Sequence, residues 1–386
     1  MCDQKSIYIH VPFCVKKCVY CDFYSKTNLS LIPDYIKSLQ KEIETRSGSK
    51  DKINTIYFGG GTPSLLPIKD IDNLLQIIGN RFLVSRDVEV TLEVNPGTID
   101  FNYLRELRKV GVNRLSIGVQ SFNDDKLRFL SRIHTAEQAL KTIEYAGKAG
   151  FDNISIDLIY GVPSETEAKW LEDLKKAVMI APSHMSCYML TIEPGTPLSE
   201  KLKIDGKLKK GLINPLGSRA MSGLFKKTSR FLGEFKYEHY EISNFSRGRQ
   251  NRSKHNSKYW DMTPYYGFGP AAHSYDTKIR SWNHPSIETY IKDMDSDRLP
   301  VEDREVLTCE QKMMEMIMLR LRTLEGLDLD KFQTLFHRSF QNEFREIIDN
   351  ILDQSLGYFK GHKFALSLKG KTCLNSIVEA FSQKIL

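Results

Sequence analysis

No apolar stretch in this chain approaches the ~20 residues a membrane-spanning helix needs, which excludes an integral membrane protein of the helical kind. The first residues, Met1-Cys2-Asp3-Gln4-Lys5-Ser6, run straight into a strand-like segment and lack the apolar core of a secretory leader. A disulfide framework is missing too. Of the seven cysteines, Cys14, Cys18 and Cys21 cluster, while Cys2, Cys187, Cys309 and Cys373 stand singly. That distribution fits a reducing, cytoplasmic setting and favours metal or redox use. Cys187, in an apolar strand-like run, reads as an inert core thiol. A phosphate-binding loop of the Walker type is excluded as well, because no Gly-Lys-Ser/Thr follows Gly59-Gly60-Gly61-Thr62-Pro63. The net charge of +7 is modest, and its excess sits in two runs. Residues 201–210 carry five lysines, and residues 245–258 carry Arg247, Arg249, Arg252, Lys254 and Lys258 with no acid. Each is either a solvated surface or a patch for carboxylates or phosphates. No nucleic-acid module accompanies them, so nucleic acid is not an expected partner.

What is present begins with three cysteines. They lie in His10-Val11-Pro12-Phe13-Cys14-Val15-Lys16-Lys17-Cys18-Val19-Tyr20-Cys21-Asp22-Phe23, directly after the apolar run Ile7-Tyr8-Ile9. The spacing leaves three readings open. The positions share one helical face, so the thiols could be small core residues. A zinc site with His10 as fourth ligand is the second reading. The third is an iron–sulfur cluster held by three thiolates, with its fourth iron open to a substrate or cofactor. The segment's Lys16, Lys17 and Asp22 speak against the core reading, and the missing second C-x-x-C pair speaks against zinc.

At 386 residues the chain suggests two or three units. Strand-like runs at 6–11, 53–58, 88–94, 113–119, 153–159 and 184–190 alternate with helix-like ones at 33–46, 69–80, 101–110, 136–149 and 166–180. Gly111 and Gly150 fall where helix C-caps belong. This alternation predicts an α/β fold, an incomplete (β/α)6 barrel, whose function collects at the C-terminal ends of the strands. The predicted units are a barrel core at 1–195, an extension at 196–299 and a small, mainly helical C-terminal domain at 300–386. In the last, Met313, Met314, Ile317, Met318 and Leu321 form an apolar helical stripe expected to be core. The unusual residues gather at the predicted strand ends: the cysteines, Gly59-Gly60-Gly61, Glu93-Val94-Asn95, Gly118-Val119-Gln120 and Asp157-Leu158-Ile159. Together they describe a ligand pocket. Glu93 is either a paired structural carboxylate or an acceptor for a ligand's amine or hydroxyls, and the neighbouring strand ends favour the ligand.

With these residues assembled, the chain resembles the radical S-adenosylmethionine enzymes. More narrowly, it resembles the branch containing oxygen-independent coproporphyrinogen III oxidase and its haem-chaperone relative. The likeness covers about residues 5–380, and includes Tyr8-Ile9-His10-Val11-Pro12-Phe13-Cys14, the segments 113–122 and 157–161, and Tyr266-Gly267-Phe268-Gly269-Pro270-Ala271-Ala272-His273. The resemblance implies that Cys14, Cys18 and Cys21 bind a [4Fe–4S] cluster whose open iron takes S-adenosylmethionine. Tyr8, Tyr20, Gly60 and Glu93 match positions that contact this cofactor. Gly61, Thr62, Gln120, Arg132 and Asp157 match positions that hold a second S-adenosylmethionine in the oxidase.

Two departures separate the branches. Phe23 stands where the oxidase has a fourth cysteine, and only thirteen residues precede Cys14 where the oxidase has a long N-terminal extension. Coproporphyrinogen oxidation is therefore not expected. His255-Asn256-Ser257-Lys258-Tyr259-Trp260 instead matches the H-N-x-x-Y-W segment of the haem-chaperone relatives. It predicts haem binding, with His255 as the axial ligand, Tyr259 and Trp260 as flat apolar surface, and nearby Arg247, Arg249, Arg252 and Lys254 for the propionates. His273 and His284 compete as ligands. The expectation is a cytoplasmic haem chaperone serving apo-haemoproteins such as respiratory cytochromes, with an electron donor if S-adenosylmethionine is cleaved and at most peripheral membrane association. An oxidase or another radical S-adenosylmethionine enzyme of tetrapyrrole metabolism is the alternative. A zinc-stabilised basic binding module is the third.

Overall fold

A computed structural model describes residues 4–46, 51–204 and 216–385. Cys2 and Lys207, Lys209 and Lys210 of the lysine run lie outside the described residues. Six strands form the parallel heart: β1 (Gln4–Val11), β2 (Lys52–Gly60), β3 (Leu83–Val94), β4 (Arg114–Gln120), β5 (Asn153–Tyr160) and β6 (His184–Met189), paired in chain order. Between them run α1 (Ile32–Arg46), α2 (Ile68–Arg81), α3 (Phe101–Lys109), α4 (Asp124–Phe129), α5 (Ala136–Lys148) and α6 (Glu167–Ile180). The helices start where side chains satisfy orphan amides. Asp100 accepts from Tyr103, Thr135 forms a capping box with Gln138, and Thr166 accepts from Lys169.

Strand alternation builds the two faces of this sheet. Ile7, Ile9, Ile56, Phe58, Val90, Leu92, Leu115, Ile117, Ile154, Ile156, Met185 and Cys187 point one way, into the apolar core under the helices. There they meet helix-spaced residues such as Leu74 and Ile78 of α2, Leu104 and Leu107 of α3, and Trp170 and Leu174 of α6. The opposite positions carry polar groups: Tyr8 and His10, Thr55 and Tyr57, Glu89 and Glu93, Arg114 and Ser116, Ser155 and Asp157, His184 and Ser186. A polar inner face is the reason a pocket can open inside the curve.

The remaining strands extend the sheet at both edges. After α7 (Pro197–Ile204) and α8 (Gly217–Glu234), β7 (Glu238–His239) and β8 (Asn244–Ser246) add antiparallel beside β6. The chain then crosses through α9 (Lys254–Trp260) to the far edge. There β9 (Tyr265–Phe268) pairs parallel with β1, followed by antiparallel β10 (His273–Tyr275), β11 (Ile279–Asn283) and β12 (Val301–Val306). Among the described residues the whole is a mixed sheet of twelve strands. Helix α10 (Ile287–Asp295) packs back against α1, and β12 belongs to this sheet rather than to the C-terminal unit.

The C-terminal unit follows with α11 (Cys309–Leu321), further helices and a small three-stranded sheet. Its core is aromatic: Phe332, Phe336, Phe340, Phe344, Phe364 and Phe381 pack together. The apolar stripe differs in one position from expectation. Met313, Ile317 and Leu321 are buried together with Met316, while Met318 is 39% exposed. Among the described residues no helix is long and apolar enough to cross a membrane.

Candidate functional site

The cysteine loop is irregular backbone, not a helix, so its three thiols do not form a core stripe. Its mouth is tied by two amides: Cys14 donates to the Lys26 carbonyl at 2.9 Å and Lys26 to the Pro12 carbonyl at 2.7 Å. A third bond, from the Cys21 amide to the Cys18 carbonyl at 3.2 Å, tightens the inner turn. The thiols are free and half-buried. The Thr62 hydroxyl donates toward Cys14 Sγ at 3.5 Å, and Arg132 Nη1 toward Cys18 Sγ at 3.4 Å. Donors aimed at sulfur stabilise thiolate, the form that ligates metal.

The zinc reading loses its fourth ligand. His10 is buried, with Nδ1 against the Tyr8 hydroxyl at 3.2 Å and Nε2 against the Tyr24 carbonyl at 3.0 Å. Burial holds its imidazole down at about 4. Among the described residues no three His, Cys, Asp or Glu groups converge as a single ion requires. A cubane spreads its thiolates over separate irons instead.

The loop closes one side of a cavity of about 580 Å³ at the C-terminal ends of the strands. Its walls bring together Cys14, Cys18, Cys21, Tyr20, Gly60, Gly61, Thr62, Glu93, Gln120, Arg132 and Asp157. Of the expected residues, Tyr8 and His255 are not among those that line it. Gly60 has φ +110° and a side chain there would meet the His10 ring at 2.6 Å, while one at Gly61 would meet the Phe13 carbonyl oxygen at 2.6 Å. The triple glycine thus lets the second strand end pass directly under the cysteine loop.

Glu93 is held from two sides. The Tyr57 hydroxyl donates to Oε1 at 2.8 Å and the Gly60 amide to Oε2 at 3.1 Å. Burial still pushes its carboxyl up to about 7, with the Tyr57 bond opposing. Asp157 is raised by burial as well, against hydrogen bonds from Ser186, Ser116 and Ser155. Arg132 bridges the strand ends, donating to the Gly118 carbonyl at 3.0 Å and bonding Tyr20. Gln120 sits at φ +65°, a left-handed conformation that re-aims the end of β4 into the cavity. Ser116, Tyr188 and Met189 also line the cavity, unforeseen from the sequence. The two-residue alternation of the strands was the available signal for Ser116 and Tyr188, since each shares the face of a recognised neighbour. Phe23, in place of a fourth cysteine, lies 67% exposed at the mouth.

The His255 segment is at the other end of the strands. Helix α9 points its first amides at a carboxylate, Lys254 N and His255 N donating to Glu89 at 3.1 and 3.0 Å. Lys258 donates to the carbonyls of Gln4 and Lys5 at the start of β1. His255 is 1% exposed, and both ring nitrogens are engaged: Nδ1 with the Thr55 hydroxyl at 3.0 Å and Nε2 with the Tyr259 hydroxyl at 2.9 Å. Desolvation lowers it to about 3. As folded, the imidazole offers no free nitrogen at an open surface. Arg252 is likewise engaged, with Glu238 at 2.9 Å and Glu325 at 2.5 Å, and Lys254 pairs with Asp87. The Arg322 guanidinium lies 4.2 Å over the Trp260 ring, so α9 also carries the C-terminal unit. His273 is exposed beside Trp282, and His284 is partly exposed between Asp293 and Glu302.

Comparisons with known proteins identify the chain's family. The Radical SAM superfamily profile matches residues 8–177, and the profile of the HemN C-terminal domain matches residues 307–372. The structure is similar to that of coproporphyrinogen III oxidase from Escherichia coli, with a TM-score of 0.83 at 23% identity over 98% of this chain and 90% of that one. That likeness establishes a radical S-adenosylmethionine fold. The heme chaperone HemW of Lactococcus lactis is 34% identical over 97% of each chain, and that of Bacillus subtilis 31% over 98% of this chain and 99% of its own. The chain belongs to the HemW family of the radical S-adenosylmethionine superfamily.

The superfamily's cofactors are a [4Fe–4S] cluster and S-adenosylmethionine, and the residues present fit them. Three free thiols share one loop, two side-chain donors face their sulfurs, and the cavity beside them has a glycine-lined wall and four carboxylates, Asp22, Glu93, Asp157 and Glu193. When bound, a reduced cluster supplies one electron to a sulfonium, while the protein binds, orients and excludes competing reactions.

Proposed function

We infer that this chain is a haem chaperone: it binds haem and hands it to apo-haemoproteins, on a scaffold that also binds a [4Fe–4S] cluster and S-adenosylmethionine. The observation that carries the reading is the match to relatives named heme chaperone along nearly the whole chain, at 31–34% identity. Cys14, Cys18 and Cys21 hold the cluster in this reading. Glu93 and the Gly60 backbone take the amine or ribose of S-adenosylmethionine, Tyr20 contacts the same ligand, and Tyr8 backs the wall. Gly61, Thr62, Gln120, Arg132 and Asp157 line the remaining space, where a second molecule of the cofactor has polar partners. Respiratory cytochromes are the proposed acceptors, and an electron donor is needed only if S-adenosylmethionine is cleaved.

Phe23 supports the chaperone over the oxidase reading, because an aromatic ring stands where the oxidase pattern has a fourth thiol. Haem titration of the purified protein tests the proposal: a saturable Soret shift near one haem per chain is expected. A flat titration would remove haem from the account. Coproporphyrinogen III, under reducing anaerobic conditions, is expected to remain unconverted. Single His255→Ala, His273→Ala and His284→Ala variants identify the axial ligand.

A further inference from the structure

Glu93 does not set its own orientation. One carboxylate oxygen is held by the Tyr57 hydroxyl at 2.8 Å and the other by the Gly60 amide at 3.1 Å, so the direction of the carboxylate depends on where that ring stands as well as on the backbone. Tyr57 in turn packs against two rings on the inner face, which also approach each other at 6.4 Å. Tyr8 stacks at 6.1 Å and 27°, and His255 lies nearer, at 4.9 Å and 30°. Ring pairs at such separations favour one another beyond simple burial. On the cavity side there is no slack: a side chain at Gly59 would meet Tyr57 at 2.8 Å and Glu93 at 3.2 Å.

His255 is the anchored member of this set. Its ring is fixed at both nitrogens by Thr55 of β2 and Tyr259 of α9, and its amide is fixed by Glu89 of β3. The contacts form one connected series, from Thr55, Tyr259 and Glu89 through His255 to Tyr57 and then to Glu93. Ligating an iron would require the imidazole to give up one of those bonds and leave the interior.

We propose that His255 is a positioning residue for the S-adenosylmethionine site, its ring holding Tyr57 so that Tyr57 holds Glu93. The proposal rests on the reading of Glu93 as a contact to that cofactor. It gives the H-N-x-x-Y-W segment a duty at the far side of the strands from the cysteines: α9 is the floor on which the cofactor wall stands.

The test is the dissociation constant of S-adenosylmethionine for the cluster-loaded protein, by equilibrium dialysis, with iron content and melting temperature checked for each variant. His255→Ala is expected to weaken binding about tenfold, the loss of one well-placed hydrogen bond. Tyr57→Phe, which removes only the donor to Glu93, is expected to do the same. The double variant is expected to be no weaker than either single one, since both act through one contact. His255→Phe keeps a ring against Tyr57 and is expected to restore most of the affinity. Unchanged affinity in folded His255→Ala, with Glu93→Ala weakened, overturns the proposal. So do penalties that multiply in the double variant, or a His255→Ala protein that loses haem while keeping its affinity for S-adenosylmethionine. If His255→Ala does not fold, Tyr57→Phe and His255→Phe carry the test, and unchanged affinity in Tyr57→Phe overturns it. Unchanged affinity in Glu93→Ala removes the site reading, and this proposal with it.

Discussion

The cysteine loop and helix α9 lie at opposite ends of the same six strands and are built in opposite ways. The loop is irregular backbone, its thiols are free and half-buried, and it faces a cavity of about 580 Å³. Helix α9 buries its histidine, engages both imidazole nitrogens and pairs its flanking cations with carboxylates. One gathers thiols beside a cavity, and the other pairs its polar groups with one another. A buried polar group left unpaired costs about 1–3 kcal/mol, so a closed network such as that around His255 resists recruitment to a new ligand. The histidine's sequence context points to metal, and its structural context points to support.

The contrast can be broken most decisively at the loop. Replacing Cys14, Cys18 and Cys21 together by Ala should abolish iron and sulfide uptake on anaerobic reconstitution, while Cys187→Ala, on the apolar face of β6, should retain both. Full iron content in the triple variant would mean the metal sits elsewhere. The next largest effect is expected at Glu93. Glu93→Ala removes a charge-assisted contact and should weaken S-adenosylmethionine binding about ten- to hundred-fold.

A gentler probe of the same carboxylate is pH. Burial raises Glu93 to about 7, so below that value the group is protonated and binding must first expel the proton. Affinity for S-adenosylmethionine should therefore be level above about pH 7 and fall as the solution is acidified, by up to about tenfold per pH unit. The groups that set this value are Tyr57 and the Gly60 amide on β2, Asp157 on β5 and Arg114 on β4. Tyr8, Tyr188 and Tyr259 face it from β1, β6 and α9. A flat profile from pH 6 to 8 would place Glu93 outside the binding equilibrium. The smallest effects belong to the cations beside α9. Lys254→Ala breaks an exposed pair and should change stability by about 0–1 kcal/mol, whereas Arg252→Ala unpairs two carboxylates and should cost about 1–3 kcal/mol in denaturant unfolding. Equal effects would show that the segment is not the joint described.

The six parallel strands and all their helices but the short α4 were legible because the outward residues of each strand are apolar and the turns are marked by glycine, proline and asparagine. Gly111 and Gly150 end their helices with positive φ, as their placement suggested. The cavity was legible because its chemistry sits at consecutive strand ends. The inner face was less so: reading β4 as an apolar strand passes over Arg114 and Ser116, which alternate with Leu115 and Ile117. The place of His255 was not legible at all. Its partners Thr55 and Glu89 lie 200 and 166 positions away along the chain, and only the crossing of α9 between the sheet edges brings them together. Local pattern likewise could not show that β9 would pair with β1, or that Met316 would be buried in place of Met318.

Haem delivery is what sets a chaperone apart from a protein that only binds haem, and a transfer assay measures it. Haem-loaded protein is mixed with an excess of an apo-cytochrome, in the presence of cluster and S-adenosylmethionine, and the Soret bands of donor and acceptor are followed. Haem is expected to leave this protein and appear in the acceptor faster than from an equal concentration of free haem, with the acceptor's activity restored. Haem that stays bound, or that reaches the acceptor no faster than free haem does, would contradict delivery.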